Sequence, residues 1–181
     1  KILVTGAGGS IGSELCCQML ALKPTCIVLF EHSEHKLYEI NIKLLNHCAK
    51  TNCSVEIIPV IGSIINKQLV EETIRKFKID TLYHTAAYKH VTLIEHNVRE
   101  GVNNNIFGTY NVAQAALDYN IENFILISTD KAVRPTSVMG ATKRISELIV
   151  HGLSHKKEKN PISEQKVTRF VIVRFGNVLG S

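Results

Sequence analysis

The chain has 181 residues, 45% hydrophobic and 20% charged, with 11 Gly and 4 Pro. That composition builds one domain with a sizeable core and excludes a disordered, collagen-like or low-complexity chain. Lys and Arg number 21 against 16 Asp and Glu, for a net charge of +5. This mild surplus, concentrated in part at His155–Lys159, comes without the basic stripe and interleaved aromatics of a nucleic-acid binder and suits an anionic small molecule. Apolar stretches of about six residues fall far short of the ~20 that a membrane-crossing helix needs. No charged segment followed by an apolar one opens the chain as a secretory signal would, so it reads as soluble and cytoplasmic. Five cysteines without a repeated CxxC spacing predict reduced, mostly buried thiols, with neither a zinc site nor a disulfide framework.

In chain order, β-rich runs at Ile2–Thr5, Cys26–Phe30, Ser54–Val60, Thr81–Thr85, Phe124–Ser128 and Arg169–Phe175 alternate with helical patterns at about 11–18, 34–50, 66–77, 100–119 and 138–153. Alternation with Val/Ile/Leu-rich strands predicts an α/β fold: a doubly wound, Rossmann-type parallel sheet with helices on both faces. The expected strand order is 3-2-1-4-5-6. A polar insertion at about 154–166 is read as a solvated loop. The chain opens inside a strand and stops just after another, so residues 1–181 read as the core of a longer protein, with its substrate lobe largely absent.

The loop after the first strand, Gly6-Ala7-Gly8-Gly9-Ser10-Ile11-Gly12, opens the first helix. Glycine there permits a tight turn and lets backbone N–H groups approach a pyrophosphate at the positive helix end. The spacing is GxxGxxG, on Gly6, Gly9 and Gly12, and Glu31 stands at the end of the second strand. A carboxylate there accepts from a ribose diol and repels a 2′-phosphate, which favours NAD over NADP. Gly6, Gly8, Gly9, Ser10, Ile11, Gly12, Glu31, His32 and Ser33 are therefore assigned to the cofactor. Gly62, Ser63 and Ile64 should border the adenine, and Ala86 and Ala87 should line the cofactor path. His84, His90 and His96 recur at a spacing that suits metal chelation on neither helix nor strand, so no metal is expected.

Five stretches, TGAGGSIGSEL (5–15), HTAAYKHV (84–91), NNNIFGT (103–109), ISTDKAVRPTSVMGATKR (127–144) and RFGNVLGS (174–181), carry a resemblance to the extended short-chain dehydrogenase/reductase superfamily. More narrowly, the sequence resembles the polysaccharide-biosynthesis nucleotide-sugar 4,6-dehydratases of capsule and O-antigen synthesis. The superfamily places Tyr four residues before its active-site Lys; here that position is Met139, with Lys143 following. Methionine carries no titratable proton, and the resemblance includes a membrane-anchored subgroup that shares this Met.

The resemblance implies a UDP-N-acetylhexosamine substrate, oxidised transiently at C4, losing water across C5–C6 and regaining the hydride at C6. It implies Thr129, Asp130, Lys131, Met139 and Lys143 as the catalytic set. Lys131 is assigned as the C5 base and Asp130 as the acid, the converse remaining open; Lys143 would hold the nicotinamide ribose. Lys89, His90, Asn105, Arg174 and Asn177 are assigned to the substrate side, Asn105 through a hydrogen bond to backbone. The resemblance also implies a homo-oligomer through helices at about 100–119 and 138–153, and an N-terminal anchor on the inner membrane face. Two alternatives stay open, a nucleotide-sugar 4-epimerase or reductase and a noncatalytic NAD-binding module.

Overall fold

The computed structural model describes residues 1–156 and 167–178; residues 157–166 of the expected polar loop and 179–181 of the last motif lie outside them. Six parallel strands form one sheet: β1 Ile2–Thr5, β2 Cys26–Glu31, β3 Glu56–Ile61, β4 Thr81–His84, β5 Asn123–Thr129 and β6 Arg169–Phe175. Their spatial order is β3-β2-β1-β4-β5-β6, so β1 and β4 flank the point where the connections diverge and a crevice opens. Thr5 pairs with Phe30 on one side and His84 on the other, and Thr129 pairs with Phe175. These registers bring the carboxyl ends of the strands, and the loops that follow, into one row.

Strands β1 and β2 are buried on both faces, β4 and β5 alternate between buried and half-buried positions, and β3 and β6 at the edges have no fully buried residue. Helices α1 (Ser10–Met19) and α2 (Glu34–Thr51) cover one face through Cys16, Leu37, Ile40 and Leu44. Helix α3 (Lys67–Phe77) and two later helices, α6 (Thr109–Asp118) and α7 (Val138–Lys156), cover the other through Val70, Ile74, Val112 and Val150. Local chemistry sets the ends: Ser33 and Asn66 cap α2 and α3, and Asn52 and Lys78 close them in the left-handed conformation.

Two features depart from the sequence pattern. A short helix α4 (Val91–His96) follows the β4 loop, and the helix expected at 100–119 is built from α5 (Val98–Gly101), a π-helical stretch (Val102–Gly108) and α6. The π stretch contains Asn103-Asn104-Asn105, weak helix formers, and turns Asn104 and Asn105 into the interior, where both are buried. Gly108 ends it against Ile64, whose Cδ1 would lie 2.6 Å from an added Cβ. The cysteines also differ: Cys16 and Cys26 are buried, Cys17, Cys48 and Cys53 only half-buried, and all five are free. Burial pushes the Cys16 thiol up to about 12.

His84 ties the sheet to α6. It is fully buried, with Nδ1 2.7 Å from the Thr5 hydroxyl and Nε2 3.0 Å from the Thr109 hydroxyl. Burial, and then the Lys143 charge, lower its pKa to about 3, so the folded protein keeps it neutral while the unfolded chain protonates it below about 6.5. Its contribution is complete above pH 6.5 and is lost as pH falls toward 3. We expect wild type to lose about 2 kcal/mol more stability than His84→Gln between pH 6.5 and 5, measured by urea unfolding at each pH; equal losses would refute this.

Candidate active site

Three connected cavities lie along the carboxyl ends of the strands. The first is bordered by Gly6, Gly9, Glu31, Gly62, Ser63, Ile64 and Ala86. The second, about 620 Å³, runs past Gly9, Ser10, Ile11 and Gly12 at the start of α1 toward α4. The third, about 430 Å³, holds Thr129, Lys131, Met139, Lys143 and Asn177, with Lys89 and His90 at its side. Thr85, Ala87 and Tyr88 border the second and third alike.

The glycine loop is shaped by close approach. Gly6 has φ +66°, and a Cβ there would lie 2.7 Å from the Ala86 Cα; Gly12 packs on the Gly6 carbonyl so closely that a Cβ would collide. The first turn of α1 has no side-chain cap and no acid, which leaves its amides to an anion. A cradle of this shape, with a buried carboxylate beside it, fits a dinucleotide. Glu31, only 3% exposed, has a second task the sequence did not disclose. Its Oε2 accepts from the Gly8 amide at 3.1 Å, and its Oε1 accepts from the Ser33 amide at 3.0 Å and faces His32 Nδ1 at 2.9 Å. Gly8 spends its N–H on Glu31 and packs on Lys36, Ser33 caps α2, and neither borders these three cavities. His32 and the unassigned Lys36 border the first two cavities.

At the end of β5, Thr129 and a 3₁₀ turn at Asp130–Ala132 form a tight polar knot. The Thr129 hydroxyl donates to Asp130 Oδ1 at 2.9 Å, and the Lys131 amide donates to the same oxygen at 2.8 Å. The Thr129 hydroxyl first, and Lys131 after it, hold the exposed Asp130 carboxyl below its ordinary range. Lys131 Nζ lies 3.4 Å from Asp130 Oδ1 and donates to Asn177 Oδ1 at 3.1 Å. The Lys131 side chain is 42% exposed, so these residues alone do not supply the desolvation expected of a lysine base. The desolvated lysine is Lys143. Buried on α7, it donates from Nζ to the Ile127 carbonyl at 2.7 Å, and burial, opposed by Glu147, brings its pKa down to about 8. Met139, also buried, walls the same cavity with a thioether.

Two assigned substrate residues sit elsewhere. Asn105 is buried and borders none of the three cavities; its Oδ1 accepts from the Tyr88 amide at 2.8 Å and its Nδ2 donates to the Tyr88 carbonyl at 3.0 Å. It therefore fixes the β4 loop, the backbone task expected of it. Arg174 points to the other side of β6, where Nε and Nη2 donate to the two oxygens of Glu147 at 2.8 and 2.7 Å. Strand alternation explains this: Phe175 faces the third cavity, so Arg174 does not. Tyr88 was missed although it stands within the HTAAYKHV stretch. Its signal is an aromatic ring on a loop following a strand's carboxyl end. Among the described residues no three His, Cys, Asp or Glu side chains gather to hold a metal ion.

A parallel sheet in this order, a glycine loop on α1, an acid at the end of β2 and Lys143 on α7 define a dinucleotide-binding domain of the extended short-chain dehydrogenase/reductase type. Residues 2–181 match the family model described as polysaccharide biosynthesis protein, and the chain belongs to that family. It is 48% identical over 181 residues to the capsular polysaccharide biosynthesis protein CapD of Staphylococcus aureus, covering 99% of this chain and 28% of that one. It is 33% identical over 182 residues to a UDP-N-acetylglucosamine 4,6-dehydratase (inverting) of Campylobacter jejuni, covering all of this chain and 50% of that one. The X-ray structure of Pen from Bacillus thuringiensis superposes with a TM-score of 0.84 at 32% identity, over 99% of this chain and 52% of that one. The chain thus spans between about a quarter and a half of the proteins it resembles.

Gly6→Ala should strain the loop by about 1–2 kcal/mol and weaken dinucleotide binding at least about tenfold. Fluorescence titration with NADH reads the affinity; unchanged affinity would remove the Gly6–Ala86 contact from cofactor binding.

Proposed function

We propose that this chain is the cofactor-binding catalytic core of a UDP-N-acetylglucosamine 4,6-dehydratase of surface-polysaccharide synthesis. The observation that carries the reading is the Thr129–Asp130–Lys131 knot, bound to Asn177 and facing a cavity shared with Lys143. An NAD-type cofactor held by the glycine loop, Glu31 and Lys143 would supply a hydride acceptor for C4 and a donor for C6. Thr129 orients the C4 hydroxyl. Asp130 and Lys131, 3.4 Å apart, are a proton pair: in water they stand as carboxylate and ammonium, and moving one proton from Nζ to Oδ1 makes a carboxylic acid and an amine. Substrate covering the pair excludes water and favours the neutral arrangement. The C4 hydroxyl proton leaves to water as C4 is oxidised, the amine removes the C5 proton, the acid protonates the departing C6 hydroxyl, and the ammonium returns its proton to C5 as C6 regains the hydride. Met139 takes no part in proton transfer, and Lys89 and His90 meet the anionic part of the substrate.

The reading includes NAD as cofactor, because the Glu31 carboxylate repels a 2′-phosphate; His32 and Lys36, at the rim of the same cavity, are the groups that would receive one. Titration with NAD and NADP decides it. It also includes a cytoplasmic location on an anchored full-length protein and a homo-oligomer through α6 and α7. Phe107, just before α6, and Tyr110, Ile145 and Leu148 on these helices are exposed. Sedimentation of the wild type against Leu148→Glu reads that assembly.

Lys131→Ala and Asp130→Asn in the full-length protein should each lower turnover of UDP-N-acetylglucosamine by about 10³-fold or more while leaving NAD affinity within about threefold. Mass spectrometry of the sugar product is the readout. A product lighter by one water, without net NADH, is expected of the wild type. An epimerised sugar of unchanged mass would favour the epimerase, and cofactor binding without any reaction would favour the noncatalytic module. Full activity in Lys131→Ala would remove that lysine from the mechanism.

A further inference from the structure

Glu147 lies on α7 one turn beyond Lys143, only 2% exposed, and its two oxygens accept from four donors. Oε1 accepts from the Ser128 hydroxyl at 2.7 Å and Arg174 Nε at 2.8 Å; Oε2 accepts from Arg174 Nη2 at 2.7 Å and Arg144 Nη1 at 3.0 Å. The donors come from three elements. Ser128 immediately precedes Thr129 at the end of β5, Arg174 pairs with Ser128 across the β5–β6 register, and Arg144 adjoins Lys143. Three residues beyond Arg174, Asn177 accepts from Lys131 Nζ. Helix α7 therefore grips two consecutive residues of β5, the Ile127 carbonyl through Lys143 and the Ser128 hydroxyl through Glu147.

We infer that Glu147 is a positioning residue for the dehydration chemistry: it fixes β5, β6 and α7 to one another so that Lys131, Asn177 and Lys143 keep a single geometry in the cleft. The inference rests on the dehydratase reading. A buried ion pair is a poor device for stability alone, since well-packed apolar side chains of the same volume serve as well or better. Four directional bonds on one carboxylate define instead a distance and an angle between three elements. Arg174 and the Ser128 hydroxyl, followed by Arg144, hold the carboxyl at about 2 against its burial, so it stays charged across the working pH range. The charged and titratable groups around it are Lys143 and Arg144 on its own helix, Arg174 on β6 and His151 in the groove outside. Lys143 is faced in turn by His84 from β4.

The test is kinetic, in the full-length protein with UDP-N-acetylglucosamine as substrate. Glu147→Gln keeps the volume and loses the charge and one acceptor. It should lower kcat about 10²-fold and leave KM and NAD affinity within about threefold. Glu147 is what raises Lys143 against burial, so the alkaline limb of the kcat profile should move to lower pH in the variant. A purely structural role would leave that limb in place. Because Glu147 acts through β6, its effect should be less than multiplicative with that of Asn177→Ala in a double-mutant cycle; fully multiplicative effects with an unmoved pH profile would overturn the inference. Should Glu147→Gln fail to fold, Arg174→Lys replaces it, keeping the charge and losing the two-pronged geometry. Labelling of Lys131 by an amine-reactive reagent reads the same point without turnover. Its rate should rise in either variant, and an unchanged rate counts against positioning. A wild type that turns over no nucleotide sugar defeats the dehydratase reading, and the labelling result alone then decides whether Glu147 holds the loop.

Discussion

The site depends on the close approach of the Gly6 backbone to Ala86, between the loops that leave β1 and β4. These neighbouring strands have connections that run to opposite faces of the sheet, and the gap between the two loops is where a ligand can reach backbone N–H groups. Keeping that gap narrow and open needs a residue without Cβ in a left-handed conformation, and it needs the loop held from every side. The Gly6 amide donates to the Phe30 carbonyl of β2 at 2.8 Å, and the Thr85 hydroxyl donates to the Thr5 and Gly6 carbonyls at 2.7 and 3.2 Å. Glu31 adds the bond to Gly8. Each strand flanking β1 thus holds the loop, and the residue read as a ribose acceptor is also part of the scaffold that shapes the phosphate site.

The same economy runs through the polar interior. His84, Asn105, Lys143 and Glu147 are all buried, and each meets a partner on another element: Thr109 on α6, the Tyr88 backbone, the Ile127 carbonyl and Arg174. Buried polar groups are costly unless fully partnered, so their concentration beneath the strand ends is a constraint on geometry. Asn105 shows how far it reaches. The π-helical stretch turns its side chain inward, where it also donates to the Thr142 hydroxyl at 3.0 Å. The β4 loop, the π stretch and α7 are thus tied to one another through one side chain.

Much of this was legible in the sequence because the signals are local or periodic. Strands β1 and β6 have the bounds their β-rich runs imply, and alternation with Val/Ile/Leu-rich strands implies the parallel sheet. The glycine loop, Glu31, Thr129–Lys131 and Lys143 meet along one crevice, since each stands at the end of a strand or the start of a helix. Less legible was whatever depends on which way a side chain turns. Arg174 and Phe175 are adjacent in sequence, and only their placement in β6 sends one to the Glu147 carboxylate and the other to the cleft. Gly8 looked like part of the phosphate cradle, yet its amide is taken by a carboxylate 23 residues away. The π stretch escaped notice because three asparagines weaken a helical pattern without specifying the wider turn.

On the dehydratase reading proposed above, Met139 marks how the proton chemistry is distributed. In the wider superfamily a phenol on the helix and a lysine four residues later share one face; here that face offers a thioether and a lysine whose amine is held by the Ile127 carbonyl. No proton can be taken or given at position 139, while the loop after β5 supplies a carboxylate and an amine joined through one oxygen, with a hydroxyl beside them. Proton groups placed at the strand end, as proposed, come under the control of β6 as well, through the bond from Lys131 to Asn177. What α7 then contributes is charge and alignment: Lys143 toward the cofactor side, and Glu147 toward the two strands whose ends carry the rest. On the proposed reading, an arrangement of this kind tolerates methionine at position 139 for the same reason that it depends on a buried glutamate eight residues later.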